Sequence, residues 1–428
     1  MEREFHTASD PASTSRLHKI VPKAPNRLAV VTMGVKLGDE VRGYTRFRFL
    51  SELLVQEGFK VDLITSSFQH WEKAQRDTTR ECYQNLPYRV VFIDEPGYEK
   101  NLDLKRIHSH AVAAKNLRVY FQAHKGDYDL IYSEIPPNDV ARVCAETADE
   151  WGIPYIADIN DLWPEAMRMV FDAPIISDIV YHSFTRDAHI VYNLLSAAVG
   201  TSDEYANRPS QDRTEPYPKC TVYVGNESAV FDAGVRKYGP SIEKPAGQIW
   251  AAYAGTLGAS YDLGTLIYAS ESVEKELPGF RLKILGDGPE RSKLEQLASQ
   301  LQAPVDFLGY MPYQKMAAYL HCSDMTVNSL AKGAAQSIVT KIGDYLAAGH
   351  PLINTGSSLE FCTKVDRDGF GLNVEAGNAG ELAEALSLLG HAGDKRKIMG
   401  ARARRVAERE FDQPRSYMQI VELIRSLI

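Results

Sequence analysis

The chain has 428 residues, 44% hydrophobic and 24% charged, which is too long for one hydrophobic core and points to two domains. Its formal net charge of -8 argues against non-specific nucleic-acid binding, because the average surface repels a polyanion. The five cysteines (Cys82, Cys144, Cys220, Cys322, Cys362) include no CxxC pair, so neither a disulfide framework nor a zinc site is expected. No apolar run approaches the ~20 residues of a membrane span. Residues 1–26 read as a polar tail without the apolar core of a signal peptide, so a cytoplasmic protein with reduced thiols is expected.

Beyond that tail, β-rich apolar runs alternate with helical patterns. RLAVVTMGV, FKVDLITSS, YRVVFIDE, YDLIYSEIPP, PYIADIND and AAVGTS are expected strands, with helices from about Gly43 and from about Leu102. VYVGN, starting at Val222, reads as the last strand of a domain spanning 27–236. KYGPSIEKPAGQ, residues 237–248, has two prolines, two glycines and no periodicity, which is the composition of a linker. A second series then runs through IWAAYAGTLG, FRLKILGDG, VDFLGYM, DMTVNSL, PLINT and GFGLNVEA, giving a domain over 249–408. Residues 409–428 form an amphipathic helix with no strand to follow, expected to cross back to the first domain. The alternation specifies α/β, with two tandem Rossmann-like, doubly wound domains.

In such sheets ligands bind beyond the carboxyl ends of the strands, where loops lead into helices. Gly255 and Gly258 in YAGTLG, with Thr256 between them, and Gly286, Asp287 and Gly288 in ILGDGPE fall at those places. Glycines there let backbone N–H groups approach a ligand, and Pro289 suits a first helical turn. Either loop alone is equally well a tight turn.

The run QSIVTKIGDYLAAGHPLIN, residues 336–354, carries the sharpest signal. Ile338, Ile342, Tyr345 and Leu346 follow helical spacing, Ser337 is a candidate cap and Gly349 a candidate stop. Lys341 and Asp344 then share another face. The helix start favours a phosphate near Ser337, Ile338, Val339 and Thr340, with Lys341 adding a point charge to a diphosphate. Asp344 is acceptor-only and suits the two hydroxyls of a ribose. The competing reading is an exposed i,i+3 ion pair worth a few tenths of a kcal/mol.

These motifs, in order, resemble the GT-B-fold retaining glycosyltransferases of family 4. YAGTLG, GDGPE, VDFLGYM and TKIGDYLAAGHPLI look like the family's C-terminal half, and GDEVRGYTRFRFLSELL like its first loop and helix. DINDLWPEA resembles the DLWPE element of a bacterial polysaccharide-biosynthesis subgroup. The resemblance implies a nucleotide-sugar donor, most often a UDP-sugar, held by the second domain, and a glycan or lipid-linked glycan acceptor entering between domains. It further implies retention of anomeric configuration and no metal or other cofactor. Gln336 stands where the family has the first acid of a pair and Asp344 where it has the second; Lys341 matches a phosphate-binding lysine, and Tyr310 and Met311 lie where the base is contacted. The family's Arg and Lys pair is missing from YAGTLGASYDLGTLI, which shifts charge neutralisation to Lys341 and to Arg42 or Arg46. On that mechanism the loop from Gly38 to Gly43 is expected to close over the sugar, and Glu134 and Asp161 are candidates to orient an acceptor hydroxyl or sense donor hydroxyls, though for Asp161 a capping role is the commoner fate.

Other signals carry less. DYD, with Asp127 and Asp129, precedes a strand and so lies at the amino end, away from the expected site. His108 and His110 are two apart on a helix and share no face. The segment 105–125 holds five Lys or Arg and no acid, a candidate surface for an anionic lipid or lipid diphosphate, against a solvated helix face as the plain alternative. Two rival functions fit a two-domain α/β chain: a non-hydrolysing sugar-nucleotide epimerase, which needs several acids and histidines around the anomeric carbon, and a non-catalytic binder.

Overall fold

The computed structural model describes residues 26–41, 43–100, 103–168, 176–334 and 338–428. Seven parallel strands, β1 (Arg27–Val31), β2 (Lys60–Ser66), β3 (Arg89–Ile93), β4 (Leu130–Ile135), β5 (Tyr155–Ile159), β6 (Ala197–Gly200) and β7 (Lys219–Thr221), form the first sheet in the order β3-β2-β1-β4-β5-β6-β7. Six more, β8 (Ile249–Ala254), β9 (Phe280–Leu285), β10 (Val305–Gly309), β11 (Met325–Asn328), β12 (Leu352–Asn354) and β13 (Gly371–Asn373), form the second in the order β10-β9-β8-β11-β12-β13. Each sheet is doubly wound, and its order reverses beside its first strand, which opens a crevice at the carboxyl ends there.

The central strands are buried on both faces, which is why they read as continuous apolar runs. In β1, Ala29 and Val31 pack with Leu117 and Val140 on one face, while Leu28 and Val30 pack with Phe47 and Leu50 on the other. In β8, Ala252 and Ala254 pack towards Ile342 and Tyr345, and Ala251 and Tyr253 towards Leu266 and Ile267. A small hairpin that the sequence did not announce, Phe68–Gln69 with Ala74–Gln75, stands beside the first sheet.

The chain crosses between domains twice, side by side. The helix Ser228–Tyr238 puts Phe231 into the second domain's core and lies against the helix Tyr313–Cys322. A Cβ on Gly234 would stand 2.5 Å from the Gln314 carbonyl oxygen. The first crossing therefore falls before that helix, near Asn226, earlier than the proline-rich 237–248 stretch read as a linker. VYVGN is likewise not a strand, because β7 ends at Thr221 and the following residues leave the sheet. The return crossing runs past Asp412, which bridges to Asn226, and delivers Tyr417, Ile420, Val421 and Ile424 to the first domain's core. Among the described residues no helix is long and apolar enough to cross a membrane.

Candidate functional site

The helix predicted to begin near Ser337 begins at Ile342 and runs to Ala347; Gln336 and Ser337 lie outside the described residues, and Lys341 itself is the N-cap. Gly349, at φ +76°, follows its end. Tyr345 fastens the helix to β8, since its hydroxyl accepts from the Ala254 amide at 3.0 Å and donates to the Ala254 carbonyl at 2.9 Å. That clamp brings Lys341 to the carboxyl end of β8.

There the Lys341 ammonium donates to the Tyr253 hydroxyl at 3.0 Å and lies 4.4 Å and 3.7 Å from the ring centroids of Tyr253 and Tyr261. No carboxylate pairs with it among the described residues, and burial pulls its pKa down to about 7. Gly255 makes room: a Cβ there would stand 2.3 Å from Nζ, and its φ of +154° is one that side chains avoid. Gly286 and Gly288 serve backbone packing, whereas Gly258 has no backbone atom close by. The amides of Gly255, Gly286 and Gly288 donate to the Leu285 carbonyl, the Gly309 carbonyl and Asp287 Oδ1, so three of the four glycine N–H groups expected to face a ligand are occupied within the protein, while that of Gly258 donates to no group among the described residues. The Thr256 carbonyl accepts from the Tyr253 hydroxyl at 2.8 Å, and the Asp287 carbonyl from the Leu257 amide at 3.0 Å.

Asp344 faces away from Lys341. Its Oδ1 accepts from Asn226 Nδ2 at 2.6 Å and from the Tyr313 hydroxyl at 2.7 Å, at the double crossing between domains. Burial raises its pKa to about 6 against those two hydrogen bonds. Oδ2 makes no hydrogen bond among the described residues, so one oxygen is left for a ligand. The exposed i,i+3 pair does not form. Met311 packs half-buried on the second core and Tyr310 is 70% exposed.

Between the two carboxyl edges lies a cavity of about 590 Å³. The first domain lines it with Tyr44, Asn160, Asp161 and Thr201, and the second with Ser260, Tyr261, Lys332 and residues Ile338, Val339 and Thr340. Lys341 is not on its wall; it sits behind Tyr261. A second cavity of about 240 Å³ continues into the first domain and shares Tyr44, Asn160 and Asp161 with the first.

Asp161 thus stands at the junction. Its Oδ1 accepts from the Leu162 amide at 2.9 Å and its Oδ2 from the Trp163 indole at 3.1 Å, and burial raises its pKa. Glu134, at the end of β4 on the second cavity, accepts from the Thr32 hydroxyl at 2.5 Å, and burial pushes its pKa to about 8.

Two first-domain expectations fail. Arg46 is fully buried, with Nε and Nη2 on Asp158 at 2.9 Å and 3.0 Å and Nη1 on the Val222 carbonyl and the Tyr417 hydroxyl, so it cannot meet a diphosphate. Arg42 lies outside the described residues. The loop carrying Gly38 and Gly43 is tied down rather than poised to close: Asp39 pairs with Arg80 at 2.6 Å, Glu40 with Arg76 at 2.7 Å, and Tyr44 is the neighbour that reaches the cavity. Lys332, Tyr253 and Tyr261 were missed because nothing in their spacing links them to Lys341. The DYD carboxylate Asp129 accepts from the Arg27 amide at 2.7 Å at the amino end, as its place before β4 requires.

Residues 250–391 match the family described as Glycosyl transferases group 1. The second domain is a group 1 glycosyltransferase domain. Solved structures share the fold of the whole chain. Sucrose-phosphate synthase from Thermosynechococcus elongatus is 17% identical with a TM-score of 0.69, over 94% of this chain and 99% of that one. HepE of Anabaena, solved in complex with UDP-glucose, is 15% identical with a TM-score of 0.65, over 94% and 100%. WaaG, a glycosyltransferase involved in lipopolysaccharide biosynthesis, is 13% identical with a TM-score of 0.61, over 93% and 99%. At these identities the likeness carries the GT-B fold alone. No curated protein matches the sequence. In the glycosyltransferase domain, Lys341 and the cavity lie at the end of β8 and β11, the reversal point of the sheet.

Proposed function

We propose that the chain transfers a hexosyl or N-acetylhexosaminyl group from a UDP-sugar to a glycan or lipid-linked glycan, with retention, in bacterial surface polysaccharide synthesis. It would belong to family 4 and its DLWPE subgroup, act in the cytoplasm and need no metal. The observation that carries this is Lys341: an ammonium enclosed by two tyrosines and a glycine, beside an inter-domain cavity, with no anion of the protein's own among the described residues. Burying such a charge is costly unless a partner arrives. A diphosphate supplies one.

As the anomeric bond breaks, negative charge grows on the β-phosphate, and a fixed donor aimed there lowers the barrier. Lys341 takes that role from beside the cavity, with Lys332, which is on the cavity wall and 3.4 Å from Glu375, as a second cation in place of the missing basic pair. Asp344 Oδ2 holds the ribose. Asp161 and Glu134 position the acceptor hydroxyl at the joint of the two cavities. HepE, the fold relative solved with UDP-glucose, supports this choice of donor. Donor turnover by Lys341→Ala and Asp344→Ala tests the assignment: both should fall steeply, and near-normal activity in both overturns it. A thermal-shift screen across nucleotide sugars identifies the donor, since a ligand at ~100 times its Kd stabilises by ~2.7 kcal/mol.

One observation favours the epimerase reading. His70, His110, Glu134 and Asp161 line a single cavity, the kind of set that chemistry needs. Incubation with UDP-N-acetylglucosamine separates the two, because epimerisation yields the C2 isomer and transfer or slow hydrolysis releases UDP. We further propose peripheral membrane contact through residues 105–125. Leu104, Ile107 and Val119 are exposed on the helix Leu104–Ala123, but Lys105, Arg118 and Lys125 pair with Glu99, Glu146 and Glu150, so the segment is less basic than its sequence. Co-sedimentation with anionic vesicles tests this.

A further inference from the structure

The second cavity has a composition that the donor site does not explain. Its walls are His70, Trp71, Tyr98, Arg106, His110 and Trp163. Flat aromatic faces with interleaved hydrogen-bonding groups suit a sugar ring, and about 240 Å³ is below the roughly 300–1,000 Å³ of drug-sized ligand sites, room for one ring rather than a chain. The two ends of the cavity differ in chemistry. Asp161 is at the end that joins the donor cavity, and Glu134 also lines this cavity. Around Tyr98 stand cations: on the cavity wall the Arg106 guanidinium is 4.7 Å from the Trp163 ring centroid and 5.5 Å from that of Tyr98, and next to the wall Lys73 Nζ is 4.6 Å from the Tyr98 centroid and 3.5 Å from His70 Nδ1.

An arginine sandwiched on aromatic faces has its plane fixed, so its N–H edge is presented in one direction to a carboxylate or phosphate. The imidazoles beside it stay neutral. Burial first, then these two cations, push His70 down to about 4 and His110 to about 3, so both act as hydrogen-bonding groups toward hydroxyls rather than as charges. Arg106 also hydrogen-bonds the Tyr98 side chain, and Glu95 and Asp161 are among the acids that feel its charge.

We propose that this cavity is the acceptor subsite for a pyranoside bearing an anionic group, a carboxylate or a phosphate, which Arg106 and Lys73 hold while the hydroxyl to be glycosylated faces Asp161 and Glu134. This rests on the donor reading above and adds the acceptor's charge to it.

Ligand-observed NMR titrations on the full chain saturated with UDP test it, using methyl glucuronide, glucose 6-phosphate and methyl glucoside as probes. At least one of the two anionic sugars should bind ten times or more tighter than methyl glucoside, and which one does tells carboxylate from phosphate. Arg106→Gln should erase that preference and leave UDP affinity unchanged; Lys73→Gln should reduce it several-fold. Equal binding of all three sugars to the wild type, no binding of either anionic sugar, or a preference that survives Arg106→Gln overturns the proposal. The wild-type ranking decides by itself if Arg106→Gln does not fold. Failure of the wild type to bind UDP counts against the donor reading instead, whereas normal UDP affinity without an anionic preference counts against this inference alone.

Discussion

Arg46 and Lys341 occupy matching places, each near the carboxyl end of its own sheet, and each is enclosed by protein. Arg46 has a bidentate carboxylate, a carbonyl and a tyrosine hydroxyl; Lys341 has one tyrosine hydroxyl and two ring faces. The first set is complete, as a charge that fastens the first domain to the C-terminal return through Tyr417 must be. The second lacks an anion. A buried cation with all its partners holds a fold together, and one without an anion awaits a ligand.

The sharpest way to break this contrast is to remove each charge in turn. Arg46→Met leaves Asp158 buried and uncompensated, and a loss of about 3–5 kcal/mol is expected in urea unfolding. Lys341→Met should leave unfolding unchanged or slightly stabilise, yet weaken UDP binding roughly 10–100-fold, as expected for a charge-assisted hydrogen bond worth about 1.5–3 kcal/mol. If the two variants behaved alike, the contrast would collapse.

A smaller effect separates them by pH. Because burial lowers Lys341 to about 7, the free protein holds it mostly neutral above that pH, and a bound diphosphate requires it charged. UDP binding at pH 8 should therefore take up about one proton, read by calorimetry in buffers of different ionisation enthalpy, and Lys341→Met should abolish the uptake. Affinity should decline as pH rises above 7. Arg46 cannot produce this signature, since a guanidinium stays charged.

The smallest expected effect concerns Glu134. Its pKa is raised from 4.5 to about 8, so the folded state holds the proton more tightly than the unfolded state. The resulting stabilisation is complete below pH 4.5 and is lost as pH rises through 8. Glu134→Gln mimics the protonated side chain, and its unfolding free energy should show a flatter dependence over that window. A parallel slope for variant and wild type would mean that Glu134 is ionised in the folded protein.

Much of the architecture was legible in the chain. The apolar runs from RLAVV to GLN marked strands of both sheets, because a strand buried on both faces needs a continuous apolar segment whatever lies around it. Lys341 and the glycines of YAGTLG and ILGDG could be singled out on local grounds. Their roles could not. Gly286 is required because a Cβ would stand 1.8 Å from the Gly255 carbonyl oxygen, a contact between loops distant in sequence. The start of the helix before Ile342 was misjudged, since Ile338 fits the period without joining the helix, and helical spacing cannot tell a turn that leads into a helix from its first turn.

By itself, then, the sequence determined the α/β class, the tandem winding and the loops at which a ligand could bind, all consequences of periodicity and of backbone freedom at a few residues. Only the tertiary structure decided which charges are already paired, where the chain crosses between domains, and that His70, Arg106, His110, Glu134 and Asp161 line one cavity. Those facts depend on contacts between residues far apart in the chain, and no local pattern encodes whether a carboxylate from another strand will meet a given cation.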